Sequence, residues 1–124
     1  MKLYLVRHGE TDHNRRRLVQ GQSQQGLTKL GLKQATAAAR ILNLDEIVAL
    51  YSSPLKRAVE TASAIQTNST LAHSTVHNLS ELNVGELDGL SSQEMRDQYP
   101  KFMAAWDRNS GEAQLPGGES LAQV

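Results

Sequence analysis

Arg7-His8-Gly9-Glu10-Thr11 follows directly on the apolar run Leu3-Tyr4-Leu5-Val6, which puts a cation, an imidazole and a glycine at the end of a candidate strand. A neutral imidazole is nucleophilic at pH 7 without the deprotonation a serine needs, and attack on phosphorus yields a phosphoramidate that water can cleave. Beside His8, the Arg7 fork can bind phosphoryl oxygens, and Gly9 lets backbone and ligand approach closely. A second cationic site follows at Ser52-Ser53-Pro54-Leu55-Lys56-Arg57, with both cations in the first turn of an expected helix. Helix N-termini favour acids by about 0.3–1 kcal/mol each. A basic first turn therefore points to an anion held between the cations and the unpaired backbone amides. Arg57 suits that role better than Lys56, because a guanidinium binds two oxygens and an ammonium is a point charge; Lys56 reads as solvated.

Glu81 is the candidate general acid, provided that burial makes its carboxyl a proton donor to the leaving alkoxide. Glu86 and Asp88 compete for that role, and an ordinary exposed loop glutamate is the simpler alternative. His13, His73 and His77 lack comparable neighbours and are expected at the surface or behind the site. No metal is expected, since a zinc site needs a denser ligand cluster.

These residues need elements to hold them. Leu3–Val6, without polar alternation, predicts a strand covered on both faces. Residues 10–26 are polar, with Arg15, Arg16 and Arg17 clustered, and predict a long loop with a helical turn. Thr28 is an N-cap, and Ala35, Ala38, Ala39 and Leu42 predict a closely packed helix over about 28–43. Ile47–Tyr51 predicts a second strand, and Ser52-Ser53-Pro54 an N-cap with proline at the first helical position. Leu55, Ala58, Val59, Ala62 and Ile65 continue that helix to a stop at Asn68-Ser69. Ser74–Leu79 predicts a third strand, Glu81–Gly89 a loop, Ser91 or Ser92 a cap, and Met95 to Trp106 two short helices broken near Pro100. Pro116-Gly117-Gly118 is a turn, and Glu119-Ser120-Leu121 opens a further helix. The order is βαβα with a helical appendix, an α/β class.

Composition narrows the partners. Thirteen basic residues balance thirteen acidic ones among 124, so no global field draws the chain to nucleic acid or an anionic membrane. The length suits one domain. The absence of cysteine removes disulfides and thiolate chemistry, and no apolar stretch approaches the roughly 18 residues of a membrane span. The chain reads as cytoplasmic.

The arrangement resembles the histidine phosphatase superfamily, which includes phosphoglycerate mutases and small phosphomonoesterases. The resemblance rests on six blocks in order: Arg7–Thr11 with Asn14; Gln20-Gly21-Gln22; Leu27-Thr28 with Gly31 and Gln34-Ala35; Ser52–Leu55 with Arg57-Ala58 and Thr61-Ala62; Glu81-Leu82 with Gly85 and Gly89; and Pro116–Ser120. It implies a three-layer α/β/α sandwich, no metal or other cofactor, and a phosphorylated small molecule as substrate. By resemblance His8 is the phosphorylated nucleophile, Arg7 and Arg57 clamp the phosphoryl oxygens, and Asn14 adds a hydrogen bond. Glu81 is acid and base, and Gln20 and Gly21 meet the substrate. The segment Glu81–Gly89 looks like the phosphatase pattern, since the arginine and histidine-tyrosine pair of the classical mutases is not found at Leu82–Gly85. The family's second catalytic histidine, in a later His-Gly context, has no counterpart; His8-Gly9 is the only such pair. The chain therefore reads as the N-terminal portion of one phosphatase domain, with C-terminal strands missing and turnover weak or absent; the alternatives are mutase-type phosphoryl transfer and a non-catalytic phosphate-binding fragment. A sheet lacking an interior strand exposes apolar surface and invites self-association.

Overall fold

The computed structural model describes residues 2–67 and 69–124. The chain divides into two compact units, Met1–Asp12 with Gln24–Ser80, and His13–Ser23 with Glu81–Val124. Helix α1 (Asp12–Arg16) is the helical turn expected in the polar loop.

In the first unit Thr28 caps α2 (Lys29–Ile41), its hydroxyl accepting the Gly31 N–H at 3.0 Å. Gly31 and Ala35 are buried and Ala38, Ala39 and Leu42 half-buried, so the stripe of small residues is the packed face. It lies against α3 (Lys56–Gln66), which buries Ala62 and Ile65, with Leu55 buried just before it. Burying a side chain such as Ile65 contributes about 1.5–3 kcal/mol. Strands β1 (Leu50–Ser52) and β2 (His73–Thr75), which precede and follow α3 in the chain, pair in parallel, with Leu50 opposite His73 and Ser52 opposite Thr75. The His73 ring ties the pair together, its Nε2 lying 2.8 Å from Ser52 Oγ. The fold is thus mixed α/β, with a small parallel sheet.

Several elements differ from expectation. Leu3–Val6 is in no strand; Leu3 is 76% and Leu5 89% exposed. Among the described residues the one ladder joins β1 and β2. A run without a ladder partner leaves its amides to water, and its side chains stay outside with them. The second and third strands are shorter than Ile47–Tyr51 and Ser74–Leu79: residues 47–49 lie in no regular element, and a 3-10 turn at His77–Leu79 takes up the end of the third. Pro54 is not the first residue of α3. The Ser53 hydroxyl accepts the Leu55 N–H at 3.2 Å, closing a turn over Pro54, and the helix begins at Lys56. Helix α3 ends at Gln66 with Thr67 as C-cap, and Asn68 lies outside the described residues.

In the second unit Val84, Leu87 and Leu115 form a core on which Val19, Leu82, Leu90, Met95, Tyr99, Phe102 and Trp106 pack. Leu18 bridges Ser91 in antiparallel fashion, and Val19 exchanges hydrogen bonds with Leu90 and Gly89 at 2.8 and 2.9 Å. Helices α4 (Ser92–Gln98) and α5 (Pro100–Arg108) break at Tyr99 as the proline demands, and the Phe102 and Trp106 rings stand 5.7 Å apart. The helix expected at Glu119–Leu121 is a 3-10 turn over Leu121–Gln123, capped by Ser120.

The cap of α4 carries a pH dependence. Ser91 Oγ accepts the Glu94 N–H at 3.2 Å, and Glu94 Oε2 accepts the Ser91 N–H at 2.7 Å. The bond from the Ser91 backbone, followed by that to its side chain, holds the Glu94 carboxyl below its ordinary value. A lowered folded-state pKa means that this stabilisation is present above the unfolded-state value and is lost as pH falls through the folded-state one. Glu94→Gln should therefore flatten that part of the acid dependence of thermal unfolding; a Tm profile identical to that of the parent contradicts this.

Candidate active site

His8 is seated by backbone geometry. Its Nδ1 lies 2.7 Å from the Gly9 carbonyl oxygen, which can only accept, so Nδ1 carries the proton and the neutral ring has its lone pair on Nε2. The next residues are held between the two long helices. Glu10 N–H donates to Gln34 Oε1 at 2.8 Å, and its carbonyl and carboxylate accept the Thr28 N–H and hydroxyl at 2.8 and 2.7 Å. Thr11, fully buried, bridges Leu27.

Arg57 joins this segment through Thr61. The Gly9 N–H donates to Thr61 Oγ1 at 3.2 Å, and that hydroxyl donates to the Arg57 carbonyl oxygen at 2.8 Å. The residue after the candidate nucleophile and the first turn of α3 are therefore coupled by one hydroxyl acting in both senses. Thr61 is 4% and Arg57 3% exposed. A guanidinium does not lose its proton in a protein, so a cation buried this far needs acceptors or an anion around it. Lys56 is exposed and pairs loosely with Glu60 at 3.9 Å, in keeping with its reading as solvated. Arg7, next to His8 in the chain, is exposed.

The other expected site residues belong to the second unit. Asn14, in α1, and Gln20 are half-buried. Gly21 is buried, and a Cβ there would stand 2.5 Å from Val84 Cγ2. Gln22 Nε2 donates to the Glu81 carbonyl oxygen at 2.9 Å, which brings the glutamine loop to the candidate acid. Glu81 itself is exposed, its Oε1 accepting the Leu82 N–H at 2.9 Å, so the burial expected of it is not found in the chain. Its competitors have other partners: Glu86 accepts from Tyr99 Oη at 2.8 Å, and Asp88 accepts the Ser23 N–H at 3.0 Å. His13, expected to lack such a neighbour, has its Nδ1 3.7 Å from Asp88 Oδ1, with its side chain 13% exposed.

Thr61 and Gln34 were not singled out as site residues from sequence. The available signal for Thr61 was its place one turn beyond Arg57, where a threonine hydroxyl can reach the carbonyl four residues back. Gln34 stands in one of the six blocks, but nothing local marks its bond to Glu10, twenty-four residues away.

The same architecture occurs in known proteins. Residues 3–124 match the histidine phosphatase superfamily (branch 1). The chain is 40% identical to the metal-independent phosphoserine phosphatase of Arabidopsis thaliana, over 99% of its own length and 53% of the relative's. It is 33% identical to a probable phosphoglycerate mutase of Yersinia pestis, over 100% and 58% of the respective lengths. The solved structure of a mycobacterial glucosyl-3-phosphoglycerate phosphatase with VO3 superposes with a TM-score of 0.80 at 33% identity, covering 94% of this chain and 57% of that one. The chain belongs to the histidine phosphatase superfamily, and it spans little more than half the length of these relatives.

Proposed function

We propose that this chain carries the nucleophile half of a phosphomonoesterase that works through a phosphohistidine on His8. The observation that carries the reading is the Gly9–Thr61–Arg57 relay, which ties the segment bearing a Nδ1-protonated His8 to the backbone of Arg57, a residue that is itself buried. His8 Nε2 attacks phosphorus, and the P–O ester bond breaks. The alkoxide leaves with a proton, and water then cleaves the P–N bond to release phosphate and restore the imidazole. Arg57 and Arg7 hold the phosphoryl oxygens, with Asn14 as a further donor. Gln20 and Gly21 contact the substrate. Glu81, exposed in the chain alone, supplies the proton to the alkoxide once bound substrate covers its carboxyl, and takes one from the water. The substrate is a phosphorylated small molecule, in line with the phosphoserine and glucosyl-3-phosphoglycerate phosphatases among the relatives. Turnover is weak in this chain by itself, and the exposed Leu3, Leu5 and Val48 favour self-association.

Incubation with a labelled aryl phosphate and an acid quench-free gel should reveal a base-stable, acid-labile phosphoryl group on His8 that is absent from His8→Ala. Lack of label in the folded parent, or equal label in the variant, rejects the reading. The identity to a probable phosphoglycerate mutase favours phosphoryl transfer as the second reading. With 3-phosphoglycerate added as acceptor, partition of label from the phosphoenzyme between free phosphate and the phosphoglycerate products separates the two, and predominant transfer to the acceptor would favour the mutase.

A further inference from the structure

The Pro116-Gly117-Gly118-Glu119-Ser120 block takes no part in the chemistry above, yet it is bonded to the residues that follow Glu81. Asn83 N–H donates to Glu119 Oε2 at 2.8 Å, and Glu119 N–H donates back to the Asn83 carbonyl oxygen at 2.8 Å. Glu86 N–H adds a bond to the Pro116 carbonyl oxygen at 2.8 Å. Glycine makes the approach feasible: a Cβ on Gly118 would stand 2.2 Å from Asn83 O, and one on Gly85, which has φ +57°, 2.1 Å from Pro116 O. The turn is itself anchored, with Gly118 N–H on the Leu115 carbonyl oxygen at 2.9 Å and Leu115 4% exposed in the core.

Two consecutive amides therefore serve two carboxylates. Leu82 N–H donates to Glu81 Oε1 at 2.9 Å and Asn83 N–H to Glu119. Glu81 is exposed, so side-chain packing does little to set its position, and hydrogen bonding must do so. We propose that Glu119 is a positioning residue: by clamping Asn83 from both its N–H and its carbonyl it orients the preceding peptide, whose amide seats the Glu81 carboxylate. Its catalytic meaning rests on the reading of Glu81 as proton donor, whereas the positioning itself does not.

The test is the pH dependence of backbone amide shifts in the 15N-labelled chain. The Leu82 amide should follow the ionisation of Glu81, identified by its loss in Glu81→Gln, and the Asn83 amide that of Glu119, identified by its loss in Glu119→Gln. Glu119→Ala should remove most of the Leu82 titration, while Glu119→Gln should preserve it, because the amide oxygen still accepts from Asn83. The Ser91 amide, bonded to Glu94, reports whether each variant is folded. If Glu119→Ala is not, Glu119→Asp replaces it, its carboxylate being too short to span the gap. An unchanged Leu82 titration in the folded Ala or Asp variant, or one lost equally in Glu119→Gln, overturns the proposal. Single-turnover labelling of His8 gives a second arm: Glu119→Ala should slow it about 10²-fold from an alkyl phosphate and little from an aryl phosphate, whose leaving group needs less help from an acid. If Glu81→Gln shows no such selectivity, the acid role fails while the amide titrations still judge the positioning.

Discussion

Gly31→Ala is expected to lower stability by about 3 kcal/mol or more, which for a chain of this size is a drop in Tm of about 10 °C or greater. Two effects of opposite sign compete. Alanine inside a helix is favoured over glycine by roughly 0.5–1 kcal/mol. Against this, a Cβ at position 31 would stand 2.1 Å from the Glu10 carbonyl oxygen and 2.8 Å from its nitrogen, and both are backbone atoms that no rotamer change can move aside. Gly9 faces the same junction, its own Cβ falling 2.2 Å from Gly31 O, so Gly9→Ala should behave alike. Gly111→Ala is the control: there a Cβ meets only Asn109 Oδ1 at 3.4 Å, and the change in stability should stay within about 0.5 kcal/mol. Thermal unfolding of the three variants compares them directly. Equal midpoints for Gly31→Ala and Gly111→Ala would show that α2 and the segment after His8 are not in contact as described.

Replacing Arg57 should have the largest effect on phosphoryl chemistry short of removing His8. Arg57→Ala is expected to reduce the rate of labelling at His8 by about 10²- to 10³-fold, the scale at which a preorganised donor to a developing oxyanion acts. Arg57→Lys should not recover it, because lysine offers a point charge where the planar fork offers two parallel donors, and the site is too buried for water to fill the difference. The same pair of variants should abolish stabilisation of the folded chain by inorganic phosphate, a readout that needs no turnover. Arg7→Ala, at an exposed position, should cost less than Arg57→Ala. Labelling in Arg57→Lys within about threefold of the parent would mean that position 57 contributes charge alone, and the clamp reading would fall.

Local sequence determined most of the helical frame. Thr28 caps α2 and Ser91 caps α4, because a hydroxyl that accepts an unpaired amide acts within one turn and needs no distant partner. Ala62 and Ile65 lie on the buried face of α3, with Leu55 buried at its N-cap, for a similarly local reason, the helical period. The chemical types of the candidate site were also legible, with an imidazole, a guanidinium and a glycine next to predicted element ends.

What needed the tertiary structure were the relations across the chain. Leu3–Val6 has the composition of a buried strand, but a strand exists only where another supplies a ladder, and that is not a property of four residues. The place of Thr61 one turn beyond Arg57 marks its bond to that carbonyl, but nothing local marks its bond to Gly9, fifty-two residues away. The burial of Glu81 was likewise beyond local reading, because whether a loop carboxylate is dry depends on what packs over it. Residue types and helical periods are written in neighbouring positions. Pairing, burial and the meeting of distant side chains arise only when the chain closes on itself.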